Sequence, residues 1–574
     1  MAVPGVPFSE EATVKTALSC ALCVVVFSCW ATAADDSSLT VQGGQAHIRT
    51  VGGAEAGAWN LWSNGEWGDF VAFAQGGAYD VSVQCFGSPA GGVWPTMAFS
   101  VDGVVRDTVT VGSPKAADHV FRITVEPGHH RLTVSFLNDT RTEAEDRNLY
   151  IVQLAVTGVG GLPAPALSTE AQWRAQWDAI GAKAEEQTLA RAAQAIETHR
   201  KRDVVVRVVS RDDLPVEGAN VAVQWVQHEF LFGCNIFMFD RFSTPGDNEL
   251  YKTRFRDLFN AATTGFYWRS YEPQQGRPEY DRTDRVVAWC AQHGIRVKGH
   301  PLLWACESGI PRWSSGQPPA DARKRRVEEI MTRYAGKIEF WEVVNEPSHL
   351  PDLPIDDPYR WARAADAGAQ LIVNDYQVLA DGCPPFLQLL QGAASRGVPF
   401  DGIGIQAHEP RTMRFPLDRV WAVLDQYAAL GRKLYITEFT PTSGGEGITG
   451  SHVTGVWDEA SQADYAAKFY TVCFAHPAVA GITWWDLCDA GAWLPGGGLL
   501  RKDLSPKPAY EALKKLITQD WVTNAAGKTG PGGVFPFRGF RGHYLVRVTC
   551  NGTTVEKSLR VGPQEQQRID IVLE

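Results

Sequence analysis

Two carboxylates stand out for the company they keep. Glu346 ends the run Trp341-Glu342-Val343-Val344-Asn345-Glu346-Pro347, and Glu438 sits in Leu434-Tyr435-Ile436-Thr437-Glu438-Phe439. Each follows a short apolar, β-branched run, which places it at the end of a buried strand. Hydrolysis of a glycosidic bond needs two such groups: a protonated acid that discharges the leaving oxygen, and an ionised carboxylate on the opposite face of the sugar. A separation of about 5 to 5.5 Å would mean retention through a covalent glycosyl-enzyme. Like charges that close also raise one pKa, keeping the acid protonated near neutral pH. Taken alone, an Asn-Glu-Pro triplet is weak, and a lone glutamate at a strand end is more often a solvated or ion-paired surface group.

The elements that must position the pair lie between about 229 and 517. Eight short β-branched or aromatic runs occur there: Phe230–Phe237, Ala262–Trp268, Ile295–Trp304, Ile338–Asn345, Gln370–Gln377, Gly402–His408, Lys433–Phe439 and Ala480–Leu487. Helical patterns such as Asp281–His293, Ala320–Tyr334, Leu417–Gly431 and Glu459–Ala475 separate them. This alternation predicts a (β/α)8 barrel, whose reactive side chains project from the C-terminal strand ends. Glu346 and Glu438 then stand at the mouths of strands four and seven.

Further blocks fall in order around them. They are Lys298-Gly299-His300-Pro301-Leu302-Leu303-Trp304, Asn374-Asp375-Tyr376, Gly402 through His408, Gly481 through Asp489 with Trp493, and Lys507-Pro508-Ala509-Tyr510. With these blocks, residues 229 to 515 resemble family 10 glycoside hydrolases, the retaining endo-β-1,4-xylanases. The resemblance implies Glu346 as general acid/base, Glu438 as nucleophile and Asn345 as the donor to the sugar 2-hydroxyl, with no cofactor for catalysis. It implies that His300, Trp304, Gln406, His408, Trp485 and Trp493 complete the pocket. Trp484 and Trp485, being adjacent on a strand, face opposite sides. Three departures bear on substrate. Where the family carries an asparagine and a lysine that grip the neighbouring sugar, this chain has Phe266 and Arg269, and arginine for lysine is not neutral where geometry matters. Trp304 is followed by Ala305-Cys306-Glu307 rather than His-Ser-Gln. Two positions after Glu438, Thr440 replaces a frequent aspartate.

Upstream, residues 38–158 show short alternating runs punctuated by Gly, Asp and Pro, predicting a β-sandwich. Less specifically, the segments Tyr79–Val83, Met97–Gly103, Phe136–Asp139 and Asp146–Tyr150 resemble calcium-dependent xylan-binding carbohydrate modules. Asp139 and Asp146 are oxygen donors that would suit Ca²⁺, although Asp-rich loops without metal are commoner. Trp59, Trp62, Trp67 and Trp94 serve either as stacking platforms or as core. Residues 159–202 read as a linker and connector helix capped by Ser168 or Thr169. A small β layer follows at 203–228, and a small β appendage occupies 518–574.

Residues 1–33 read as a signal peptide: an apolar run from Thr16 to Trp30 followed by Ala31-Thr32-Ala33, with an uncleaved anchor or lipidation at Cys29 as the alternatives. Export to the cell surface, periplasm or medium is the expectation, with no later run long enough to span a bilayer. The 574 residues carry a formal net charge of −11, which argues against nucleic acid or anionic membrane as partners. Eight cysteines lie beyond the leader without paired CxxC spacing. The expected activity is that of a retaining endo-β-1,4-xylanase on a polysaccharide substrate. The alternatives are a related retaining glycosidase acting on another β-linked glycan, or a non-catalytic polysaccharide-binding protein.

Overall fold

The computed structural model describes residues 38–564 and 566–573, so the signal-peptide expectation for 1–33 lies outside the described residues. The chain divides into two units, Met1–Arg174 and Ala175–Glu574.

In the first unit two six-stranded antiparallel sheets form the expected sandwich. Strand Gly77–Ser88 shows why the sequence alternates: Val81, Val83 and Cys85 enter the core while Asp80, Ser82 and Gln84 stay half-exposed. Trp67 is wholly core, its Nε1–H donating to Gly43 O at 2.8 Å, whereas Trp62 is exposed. The connector is one helix, Glu170–His199. Thr169 caps it: its Oγ1 accepts from the Gln172 N–H at 3.2 Å, and Gln172 Oε1 accepts from the Thr169 N–H at 3.1 Å.

The second unit holds the barrel. Its strands are β1 Leu231–Asn235, β2 Ala261–Gly265, β3 Arg296–His300, β4 Phe340–Asn345, β5 Gln370–Asp375, β6 Gly402–Ala407, β7 Lys433–Phe439 and β8 Val479–Trp484. All pair in parallel, β1 lies between β2 and β8, and Lys298↔Phe340 and Gly299↔Trp341 close the ring between β3 and β4. Closure there needs a glycine, because a Cβ on Gly299 would sit 2.3 Å from the Trp341 ring. A short strand Leu303–Trp304 runs on beside the end of β4, pairing Trp304 with Asn345.

The segments expected as a separate layer at 203–228 and an appendage at 518–574 form a single sandwich. Lys201–Ser210 lies between Val534–Phe540 and Gln566–Leu573, while Asn220–His228 lies between Ala525–Lys528 and Gly542–Cys550, which Thr553–Val561 extends. The two early strands therefore do not pair with each other, because each finds its partners in the tail. Val204, Val206, Val221, Val223, Val546 and Ile571 share the resulting core. The eight described cysteines carry thiols rather than disulfides, and no described helix is long and apolar enough to cross a membrane.

Candidate active site

The C-terminal strand ends enclose a cavity of about 360 Å³ that takes in Glu346 and Glu438 together with His300, Trp304, Asn345, Gln406, His408, Trp485 and Trp493. Nine of the ten barrel positions singled out from sequence thus line one space. Arg269 is outside it. The end of β2 passes into a one-turn helix, Trp268–Tyr271, which turns Arg269 to an ion pair with Glu307 at 3.0 Å. Phe266 is wholly buried against Tyr271, Tyr334 and Trp341. Tyr267, which the sequence comparison passed over, is the strand-two residue facing the cavity.

Backbone irregularity aims several groups inward. Glu342 and Asn345 are three apart, so a regular strand of period two would send them to opposite faces. A register shift between them against β5 brings both to the barrel interior. Glu346 follows with a left-handed φ of +55°, its N–H bonded to Asn374 O at 2.8 Å, and this turns its carboxyl off the line of the strand.

A chain of polar contacts runs between the two carboxylates. Trp304 Nε1–H donates to Glu346 Oε2 at 2.9 Å, and Gln406 Nε2–H donates to Glu346 Oε1 at 3.0 Å. Gln406 Oε1 accepts from His408 Nε2–H at 2.9 Å, and the same ring nitrogen stands 3.5 Å from Glu438 Oε2. Asn374 Nδ2 donates to Glu438 Oε1 at 3.1 Å and to Asn345 Oδ1 at 2.9 Å, and Thr437 Oγ1 donates to Asn374 Oδ1 at 2.5 Å. Thr440 Oγ1 lies 3.5 Å from His408 Nδ1 and can only donate to it, given that Nε2 carries the proton. Burial, then Arg411 and His300, push the His408 pKa down to about 3, so the ring is neutral.

Beneath this layer Glu342, with no exposed surface, accepts from Lys298 Nζ and from His300 Nδ1. Burial opposes its charge, yet Lys298 and His300 together hold its carboxyl below the usual range. His300, Glu342 and Glu438 offer ligand atoms within 4.8 Å of one another. Both Glu342 oxygens are already engaged, one by the Lys298 ammonium and the other by His300. Burial raises the Glu346 carboxyl, with Asp375 adding to it against the donors Gln406 and Trp304. Burial also raises Glu438, followed by repulsion from Glu342 and Glu346, against Lys298 and Asn374.

The cavity walls are aromatic. Trp485 meets His300 edge-on at 5.2 Å, while its neighbour Trp484 is buried on the other side with Nε1–H bonded to Gly497 O at 2.9 Å. Trp493, 47% exposed, lies over His408 at 4.7 Å and forms the rim. The site can therefore stack a sugar ring while two carboxylates act on it.

In the first unit the Asp139 N–H is held by Asn64 Oδ1 at 2.7 Å, and Asp139 Oδ1 is buried without a partner among the described residues. The loop neck closes through the Arg141↔Asp146 bridge and the Arg147 N–H to Thr140 O bond of 3.0 Å, which brings Asp146 back toward Asp139. Asn60 Oδ1 and Asn148 Oδ1 are likewise buried and unsatisfied.

Residues 226–516 match the model of glycosyl hydrolase family 10, and residues 80–169 that of a Ca-dependent, xylan-binding carbohydrate-binding module. The chain is 28% identical over 394 residues to endo-1,4-beta-xylanase 1 of Arabidopsis thaliana, covering 64% of this chain and 39% of that protein. It is 28% identical over 379 residues to anti-sigma-I factor RsgI6 of Acetivibrio thermocellus, covering 64% and 47%. Both matches span less than half of the relative's length. The crystal structure of native xylanase 10B from Thermotoga maritima superposes with a TM-score of 0.44 at 25% identity, over 51% of this chain and 96% of that one.

Proposed function

The chain belongs to glycosyl hydrolase family 10, and from that premise we propose that it cleaves the β-1,4-linked backbone of xylan-type hemicellulose with retention of configuration. Glu438 attacks the anomeric carbon while Glu346 gives its proton to the departing glycosidic oxygen, leaving a glycosyl ester on Glu438. Glu346 then takes a proton from water, whose oxygen attacks the same carbon and releases Glu438. Asn345 hydrogen-bonds the 2-hydroxyl, and Trp485 and Trp493 stack on the sugar.

The observation that carries this reading is the single network in which Glu346 and Glu438 are held through Gln406 and His408 inside one aromatic-walled cavity. Both carboxyls are pushed upward, so the pair gives up its protons in two steps. With the remaining proton on Glu346, that group's share of the repulsion on Glu438 is lifted while Glu342's persists, and Lys298 and Asn374 support the anion there. A second reading, hydrolysis of another β-linked glycan, is favoured by the strand-two mouth, where Tyr267 faces the cavity and Phe266 and Arg269 do not.

The N-terminal module binds the polymer and takes Ca²⁺ at Asp139 and Asp146. The buried, unpartnered Asp139 Oδ1 is the kind of hard oxygen donor calcium requires. Bound calcium would offset the two carboxylates and order their loop. Protein exported through the 1–33 leader would meet its substrate outside the cytoplasm.

The test is product analysis by mass spectrometry and reducing-end assay on glucuronoxylan, arabinoxylan, mixed-linkage glucan and cellulose, beside Glu438→Ala. Xylo-oligosaccharides that vanish in the variant are expected. Release from another glycan alone would transfer the activity to the second reading, and unchanged release in Glu438→Ala would remove the assignment.

A further inference from the structure

A second cavity, about 860 Å³, adjoins the catalytic one, with Tyr267 in the wall of both. Phe237 continues that wall, edge-on to Tyr267 at 5.8 Å and to Trp485 at 5.5 Å. In a chain of net charge −11, this cavity is lined by four arginines: Arg241, Arg282, Arg285 and Arg333.

Their partners decide what the cavity can do. Arg333 is committed, paired with Asp284 and stacked on Tyr280 at 4.0 Å. The other three are not. Arg241 has no side-chain partner among the described residues, and Arg282 gives one N–H to Phe237 O while its Nε is buried and unsatisfied. Arg285 reaches only Asp240 at 3.9 Å, and Asp240 already holds Lys252 at 2.8 Å. Glu279 and Asp281 also line the cavity, but both are exposed and neither makes a salt bridge to these arginines. Arg241, Arg282 and Arg285 line the same space, and burial, then the neighbouring Arg241, push the Arg282 pKa down to about 10.

A neutral sugar needs no guanidinium, whereas a carboxylate offers planar, two-point acceptors to a set of unengaged forks. Resting on the glycan-hydrolase reading above, we propose that Arg241, Arg282 and Arg285 form a subsite for the carboxylate of a uronic-acid substituent, so that the enzyme prefers acidic, uronate-bearing xylan to its neutral counterpart.

The experiment compares kcat/KM on glucuronoxylan and on the same polymer with its carboxyls chemically reduced to alcohols, which keeps the branching and removes the charge. A ratio on the order of tenfold in favour of the acidic polymer is expected, since exposure and salt discount the ion pairs. In the Arg241→Gln/Arg285→Gln double variant the ratio should fall toward one. In Arg568→Gln, an arginine of the tail sandwich, it should persist. A wild-type ratio near one, or an unchanged ratio in the double variant, overturns the subsite.

If neither polymer is cut, the hydrolase reading has failed, and the subsite is judged by binding. Calorimetry with a glucuronic-acid-bearing xylo-oligosaccharide and with the neutral oligosaccharide of equal length should then show tighter binding of the acidic one, lost in the double variant. Equal binding overturns it. Inorganic phosphate and free glucuronate run alongside: competition by phosphate as strong as by glucuronate would assign a general anion site and overturn the uronate assignment.

Discussion

Glu342→Gln is the perturbation with the largest expected effect outside the two proposed catalytic carboxylates. Glu342 has no exposed surface, and its partners Lys298 and His300 are 9% and 2% exposed. The substitution leaves Lys298 charged in the barrel interior without a counter-ion, and breaking one side of a buried pair costs about 3–5 kcal/mol. With an unfolding entropy of about 2.1 cal/mol/K per residue, a unit the size of Ala175–Glu574 shifts about 1.2 °C per kcal/mol, so thermal unfolding should move down by about 4–6 °C. The double variant Lys298→Met/Glu342→Leu removes both charges and should recover most of that loss. A second readout separates electrostatics from packing. Glu342 is the leading charge that raises Glu438, so in Glu342→Gln the acidic limb of the kcat/KM profile should move to lower pH. A melting temperature within about 2 °C of wild type would refute the buried ion pair. So would a double variant no more stable than the single one, and an unmoved acidic limb would refute the coupling to Glu438.

The remaining expectations concern protons and support. His408 is held neutral with its pKa near 3 against an ordinary 6.5, so stability should fall as pH drops below 6.5, and His408→Gln should flatten that slope in melts from pH 7 to 4. Glu342, depressed below the usual 4.5, adds stability above 4.5 that is lost as pH falls through its folded value. Glu346 and Glu438, both raised, add stability below 4.5 that is lost as pH rises through theirs. Thr440→Asp puts an anion where Thr440 Oγ1 now meets His408 Nδ1 at 3.5 Å; the His408 titration followed by NMR should shift upward, and no shift would discount the contact. Glu346→Ala should lower kcat on xylan by about 10²–10⁴-fold, with a smaller loss on an aryl xyloside whose leaving group needs no proton; equal losses would remove its acid role. Arg147 donates to Ala90 O at 2.7 Å, Val93 O at 2.8 Å and Asn138 O, so Arg147→Met should cost the isolated transition of the N-terminal sandwich about 3 kcal/mol by calorimetry, and a change under about 1 kcal/mol would show the loops are held otherwise.

Much of the barrel is legible because strands buried on both faces read as continuous β-branched runs, and all eight segments chosen that way overlap a barrel strand, those for β2 and β8 starting one residue late. The N-terminal sandwich is legible by the opposite sign, a strict alternation along strands such as Gly77–Ser88. The tail sandwich is hidden for a reason of chain topology. Asn220–His228 pairs with Gly542–Cys550 about three hundred residues downstream, and no local pattern in either strand names the other.

Around the cavity the same division recurs residue by residue. Glu346, Glu438, Trp485 and their neighbours stand at strand ends, where order along the chain and alternation suffice to place them. Arg269 and Tyr267 lie one step further, past the point where β2 becomes a helical turn, and counting by twos there selects the wrong side chain. Glu342 is a harder case, because a glutamate amid tryptophan and valines looks like part of a motif until Lys298 and His300, two apart on β3, are seen to converge on it. The register shift that lets Glu342 and Asn345 both face inward leaves no mark on residue type. Backbone irregularity thus stacks an ion-pair layer directly beneath the proposed reacting pair, and the charge of that layer, felt by Glu438, ties the stability of the barrel to the protonation state the proposed chemistry requires.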